Sequence, residues 1–275
     1  MAQYLFSEKV VIYYRTCGHG PIPVVFLHGF AAYHATWDDV AALFPSAAFT
    51  LFFLDMKGFG FSSKPHDGSY DPHEHAAIIS GFIDEQQLSD FILVGHSYGG
   101  AVALMTLLKV SKVSPSRIRG LVLISSSAYP QRLPRSLRWL RWPVIGRVVT
   151  SLPVRLVVKY TLSFVFYDQS LVDEKHISRY AKAYLPHMSY VLRQSAKQLI
   201  PADHASITAS YRHIRVPTLI IWGRRDRIVS CRNAVRLRRD IPVSQLVLID
   251  RCGHNPHEER PLETASFIRE FIGTL

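Results

Sequence analysis

Acidic residues are missing from a long stretch of this chain. Between Phe91 and Tyr167 there is no aspartate or glutamate, while Arg132, Arg135, Arg138, Arg141, Arg147 and Arg155 crowd its second half. Cysteine is also scarce. Cys17, Cys231 and Cys252 make an odd count without Cys-x-x-Cys spacing, which argues against a disulfide framework and against a zinc site. No run approaches the roughly 18 apolar residues that a membrane span needs. The N-terminus MAQYLFSEKVVIYYRTCG has no basic segment ahead of a long apolar core, so no signal peptide is read and the expected location is cytoplasmic. Neither a Walker loop nor a dinucleotide fingerprint is present, and no cofactor or metal is expected. The net charge of +11 raises nucleic acid as a partner. No helix-turn-helix, RNA-recognition or zinc-finger pattern accompanies it, so nucleic acid is not expected.

What is present is a regular alternation. An edge strand is read over Lys9 to Tyr14. Buried strands are read over Pro23 to Leu27, Phe49 to Leu54, Phe91 to Val94, Leu121 to Ile124, Thr218 to Trp222 and Leu246 to Ile249. Helical patterns lie between several of them: Trp37 to Phe44, Asp71 to Gln87, Gly99 to Val110, Arg232 to Asp240 and Pro261 to Ile272. Such alternation predicts a mostly parallel sheet with helices on both faces and ligands at the carboxyl ends of the strands. From Tyr129 to His213 the rhythm breaks. Amphipathic helical pattern at Leu137, Leu140, Ile145, Val148, Leu152, Leu156 and Tyr160 is chopped by six prolines. Residues 129–213 are therefore expected to form a helical cap on a core of residues 1–128 and 214–275.

The chemistry concentrates at strand ends. FILVGHSYGGA, residues 91–101, runs a buried strand into Gly-His-Ser-Tyr-Gly and then a helix-forming stretch. A serine at the apex of so tight a strand-to-helix turn is exposed and aimed outward. Ser97 is thus the candidate nucleophile, and it needs a base and an orienting acid further along the chain. Asp226 follows the strand ending at Trp222. The strand ending at Ile124 offers only Ser125, Ser126 and Ser127. His254 follows the last strand behind Gly253 and is preferred to His257, which sits where the final helix begins. The backbone N–H groups of Phe30 and Tyr98 are the candidate oxyanion donors, with both side chains bordering a substrate pocket. His28 is read as orienting its loop, His96 as pointing away from the site, and Asp55, Gly58 and Gly60 as turn-builders.

Five pieces in order, His28-Gly29-Phe30, Asp55 to Pro65, Gly95 to Gly100, Gly223 to Asp226, and Gly253-His254 with Pro256 and Glu259, resemble the α/β-hydrolase superfamily. The resemblance covers the chain from about residue 24 onward. It implies an α/β-hydrolase fold with a helical cap inserted after the sixth strand, and an esterase-like serine hydrolase. Relatives that dehalogenate haloalkanes or open epoxides carry aspartate where Ser97 stands, which argues against both activities. The expected substrate is a small or medium apolar ester, with Leu, Val, Phe and Tyr of the cap as candidate pocket walls. Cleavage of a carbon–carbon bond in ring-fission products is the alternative, although HGFAAY and His96 depart from the usual pattern of those enzymes. A ligand sensor on the same scaffold, or hydroxynitrile lyase chemistry, would use the same residues. The arginine-rich cap reads as a solvated face, as an attractor of an anionic small-molecule substrate, or as a contact for an anionic membrane surface.

Overall fold

A computed structural model describes residues 2–114 and 116–275. Eight strands form one sheet: β1 (Ala2–Ser7), β2 (Val10–Cys17), β3 (Ile22–Leu27), β4 (Phe49–Leu54), β5 (Phe91–His96), β6 (Ile118–Ile124), β7 (Thr218–Gly223) and β8 (Ser244–Ile249). Their spatial order is β1-β2-β4-β3-β5-β6-β7-β8. β1, β2 and β4 pair antiparallel, and every pairing from β4 across to β8 is parallel.

The central strands read as unbroken apolar runs because both faces are covered. Successive side chains of a strand point to opposite sides. Val25, Leu27, Leu93, Leu121 and Leu123 therefore join one core with the helices Pro72–Glu85, Tyr98–Val113 and Arg232–Asp240. Val24, Phe26, Ile92, Val94 and Val122 join the other with Trp37, Val40 and the helix Pro261–Gly273. Burying each large apolar side chain contributes about 1.5–3 kcal/mol, so these two layers dominate the stability of the fold.

Two local expectations change. The edge read at Lys9 to Tyr14 is not an edge, because β1 pairs outside β2. β1 was hard to see: AQYLFS is short, and of its residues only Tyr4 is buried. The extra strand makes Ile118–Ile124 the sixth. The helix expected over Trp37 to Phe44 is instead a 3₁₀ turn, His34–Trp37, followed by one α-turn, Asp38–Ala41. Pro45 follows shortly after, where a helix could not continue without losing a backbone donor.

Between β6 and β7 run six α-helices: Arg135–Leu140, Pro143–Ser151, Val154–Val165, Glu174–Lys182, Met188–Gln198 and His204–Ser210. None of their described residues joins the sheet. Val158, Leu162, Phe166 and Ile177 form a small core of their own within this segment.

Candidate active site

The turn after β5 positions Ser97. Its backbone is held at φ +52° and ψ −115°, outside the comfortable regions for a residue with a β-carbon. Such strain costs of order 1–3 kcal/mol and persists only when the surroundings enforce it. They do so through two glycines. A β-carbon on Gly95 would lie 2.4 Å from the Gly99 carbonyl oxygen, and one on Gly99 would lie 2.4 Å from the carbonyl oxygens of Leu27 and His28. The strand, the turn and the loop after β3 are in direct backbone contact there, and any side chain would push them apart.

Asp226, from the loop after β7, accepts backbone N–H bonds from Ile228 at 2.8 Å and Val229 at 2.9 Å through Oδ1. Its Oδ2 lies 2.8 Å from His254 Nδ1. This carboxylate acts as an acceptor on all three sides, which assigns the imidazole proton to Nδ1. His254 Nε2 is then free to accept from the Ser97 hydroxyl, 2.8 Å away. All three residues converge, although they stand 129 and 28 positions apart along the chain. His257, the rival histidine, is buried against Trp37 and His96, with ring centroids 4.4 Å apart in each case. Burial pushes its pKa down to about 3, so it sits neutral beside the site and makes no hydrogen bond to Ser97.

The backbone around His254 is tied down from two sides. Its N–H donates to the Val165 carbonyl at the end of the helix Val154–Val165, at 2.8 Å. Its carbonyl accepts from His96 Nε2 at 2.9 Å. His96 therefore does not point away, as its place before Ser97 suggested: it borders the cavity and props the histidine loop. Burial lowers its pKa well below the usual histidine value, which keeps it neutral in that role. Glu259 completes the attachment. One carboxylate oxygen accepts from Gly253 N–H at 2.8 Å, and the other accepts from Tyr167 N–H at 2.7 Å and Asp168 N–H at 3.2 Å. One side chain thus clamps the histidine loop to the end of the helical segment.

His28 orients its loop as expected. Nδ1–H donates to the Gly29 carbonyl at 2.8 Å while Nε2 accepts from Met56 N–H at 3.0 Å. Burial brings its pKa down to about 4. Asp55 accepts from the N–H groups of His34 and Phe61, in keeping with a turn-building role. The backbone N–H groups of Phe30 and Tyr98 find no acceptor among the described residues. Both residues line a cavity of about 180 Å³ whose floor carries Ser97 and His254. The Tyr98 hydroxyl turns away to donate to the Tyr70 carbonyl, leaving its ring beside that of Phe30.

Part of the rest comes from core loops, through Ala31, Ser127, Ile228, Val229 and Asn255, and the remainder comes from the helical segment and was not located by sequence. Leu133, Leu137, Val158, Leu162, Val165 and Tyr184 wall the cavity. Among the described residues its lining contains no Lys, Arg, Asp or Glu, and Arg132 and Arg135 are both exposed on the outside. Of the lining residues, Thr161 and Ile200 are exposed, so the cavity opens between the helix Val154–Val165 and the end of Met188–Gln198.

Comparison with known proteins places the fold. The family model for the alpha/beta hydrolase fold matches residues 22–261. The chain belongs to the α/β-hydrolase family. This α/β-hydrolase is 30% identical over 260 residues to the 2-hydroxy-6-oxo-2,4-heptadienoate hydrolase of Pseudomonas putida, covering 91% of this chain and 88% of that protein. It is 28% identical over 272 residues to the uncharacterized hydrolase YugF of Bacillus subtilis, covering 96% and 95%. The solved esterase EaEST of Exiguobacterium antarcticum superposes with a TM-score of 0.81 at 22% identity, over 96% of each chain, which speaks to the fold. The α/β-hydrolase at hand is accordingly an enzyme of the hydrolase class.

Proposed function

We propose that this enzyme hydrolyses carboxylic esters with a small or medium apolar acyl group, through an acyl-enzyme on Ser97. The observation that carries the reading is the continuous contact from Ser97 to His254 to Asp226, 2.8 Å at each step. Ser97 Oγ attacks the ester carbonyl while His254 Nε2 takes its proton. The proton passes to the departing alcohol as the carbon–oxygen bond breaks. Water then attacks the acyl-enzyme, with His254 as base again, releasing the acid and restoring Ser97. Asp226 holds the imidazole in the tautomer this requires. The unpaired N–H groups of Phe30 and Tyr98 stabilise the oxyanion, and losing one such donor typically costs about 3 kcal/mol in the barrier. Residues 129–213 act as the cap. The cavity beneath them, about 180 Å³, admits a benzene-sized group.

Carbon–carbon bond hydrolysis is the second reading, favoured by the similarity to a heptadienoate hydrolase. That substrate is a carboxylate. A carboxylate moved into an enclosed pocket without a cation is costly to desolvate, and no Lys or Arg lines this one. We therefore place esters first. The test is to compare turnover of p-nitrophenyl esters with turnover of a dienoate ring-fission product, in the parent and in Ser97→Ala. Faster cleavage of the ester, abolished in a folded Ser97→Ala protein, is expected. Preference for the dienoate would reverse the order of the two readings. Unchanged ester turnover in Ser97→Ala would remove the serine mechanism altogether.

A further inference from the structure

The amphipathic pattern read in the helical segment is turned outward. Of the 17 large apolar side chains that are exposed among the described residues, ten lie between Trp139 and Tyr167. On the helix Pro143–Ser151 and the residue after it, Val144 is 72% exposed, Val148 59% and Leu152 50%. On Val154–Val165, Leu156 is 63% exposed, with Tyr160 and Phe164 following at helical spacing. The opposite face of that helix is buried through Val158 and Leu162, which line the cavity. A helix apolar on both sides belongs in an interior, so its outer face is incomplete as it stands.

We infer that these helices form a docking surface for an anionic phospholipid bilayer, on which the enzyme rests with its cavity mouth toward the lipid. Charge selects the occupant. Arg132, Arg135, Arg138, Arg141, Arg147 and Lys159 are exposed around the apolar rows, and the segment holds no carboxylate of its own before Asp168. Among the described residues none of these six has a carboxylate partner, whereas Arg155 pairs with Glu174. A second copy of the chain would set arginines against arginines across a two-fold axis. An anionic lipid surface neutralises them all while accepting apolar side chains without demanding a matched shape. Trp139 and Trp142 are 45% and 64% exposed beside Arg138 and Arg141, where indole and guanidinium would share the headgroup level.

The helices rest on the surface and do not cross it. Among the described residues no single helix is long and apolar enough to span a membrane, and the pair Pro143–Ser151 and Val154–Val165 meets at 104°. The cavity opens beside Thr161, on the same helix as Leu156, Tyr160 and Phe164. Docking would therefore let an apolar ester pass from the bilayer toward Ser97 with little exposure to water.

The surface is independent of the catalytic reading, and the experiment keeps the two apart. The full chain is floated with vesicles of phosphatidylcholine alone and of phosphatidylcholine mixed with phosphatidylglycerol. The parent and Ser97→Ala are both expected to float with the anionic vesicles, to show blue-shifted tryptophan emission there, and to be released by salt. Arg138→Ala with Arg141→Ala, and separately Trp142→Ser with Leu156→Ser, should each lower vesicle partition about tenfold or more. Turnover of a water-soluble ester should be unchanged in both. The proposal fails if the parent ignores anionic vesicles, or if both double variants float as well as the parent. It also fails if the parent is a dimer that Trp142→Ser dissociates, since a second copy would then cover the face.

Discussion

Ser97 holds a strained backbone conformation beside a fully assigned hydrogen-bond chain, whereas Leu156 is 63% exposed on a helix whose outer face touches nothing described. The two sites belong to regions joined beside His254, whose N–H donates to the Val165 carbonyl, and through Glu259, which accepts from Tyr167 and Asp168 N–H. Around Ser97, backbone approaches at Gly95 and Gly99 leave no room for a β-carbon, so glycine is the only residue that fits at those two positions. Along the outer helices, composition is specified and position is not. The first arrangement suits a reaction that must be geometrically exact to a fraction of an ångström. The second suits a fluid partner that takes apolar side chains in many arrangements.

The largest effect should come from the specified region. Asp226→Asn keeps the size of the side chain but presents N–H to His254 Nδ1, which favours the wrong tautomer. Its kcat is expected to fall on the order of 10⁴-fold in steady-state ester hydrolysis. An effect below tenfold would show that tautomer control is not what Asp226 supplies.

Acid separates the regions next. Burial lowers the pKa of His28 to about 4 and those of His75 and His257 to about 3, from an ordinary value of 6.5. Below pH 6.5 the unfolded chain takes up protons that the folded chain refuses. Stability is therefore lost as pH falls toward 4, by about 1.4 kcal/mol per pH unit for each such histidine. Burial raises Glu258 and Glu259, which return part of that loss at the acid end. The urea midpoint should drop steeply between pH 7 and pH 5. A flat profile would mean that these histidines are not buried in neutral form.

Glu259→Ala strips acceptors from Gly253, Tyr167 and Asp168 N–H at once, where the regions join. A loss of about 2–3 kcal/mol is expected in urea unfolding, because Gly253 N–H is left buried without a partner. Ser97→Gly should move the other way. It relieves the strained backbone conformation and should gain about 1–3 kcal/mol over Ser97→Ala. The smallest effect belongs to the outer helices, where Leu156→Ser should change stability by no more than about 0.5 kcal/mol in the same measurement. A large loss there would mean that the outer face packs against the protein itself.

The same contrast decides what could be read from the amino acids alone. Ser97 and Asp226 follow the fully buried strands β5 and β7, His254 follows the partly buried parallel edge strand β8, and all three strands declare themselves as apolar runs. β1 escaped because its pattern is half exposed and only six residues long. The role of His96 escaped because the direction of a side chain at a reversed turn depends on which loop packs above it. The cavity walls escaped for a deeper reason. Apolar residues at helical spacing show that a helix has a sticky face, but not whether that face turns inward. Val158 is buried while Leu156 and Tyr160 are exposed, all on the one helix Val154–Val165.

The carbonyl of Val165 carries an engineering consequence. His254 hangs from the very segment that walls the cavity, so the two cannot be exchanged as independent parts. A chimera that transplants residues 129–213 from another hydrolase would need to deliver a backbone acceptor to the same spot, and two amide donors to Glu259. Grafts chosen only for the shape of their chamber would arrive with the imidazole unmoored.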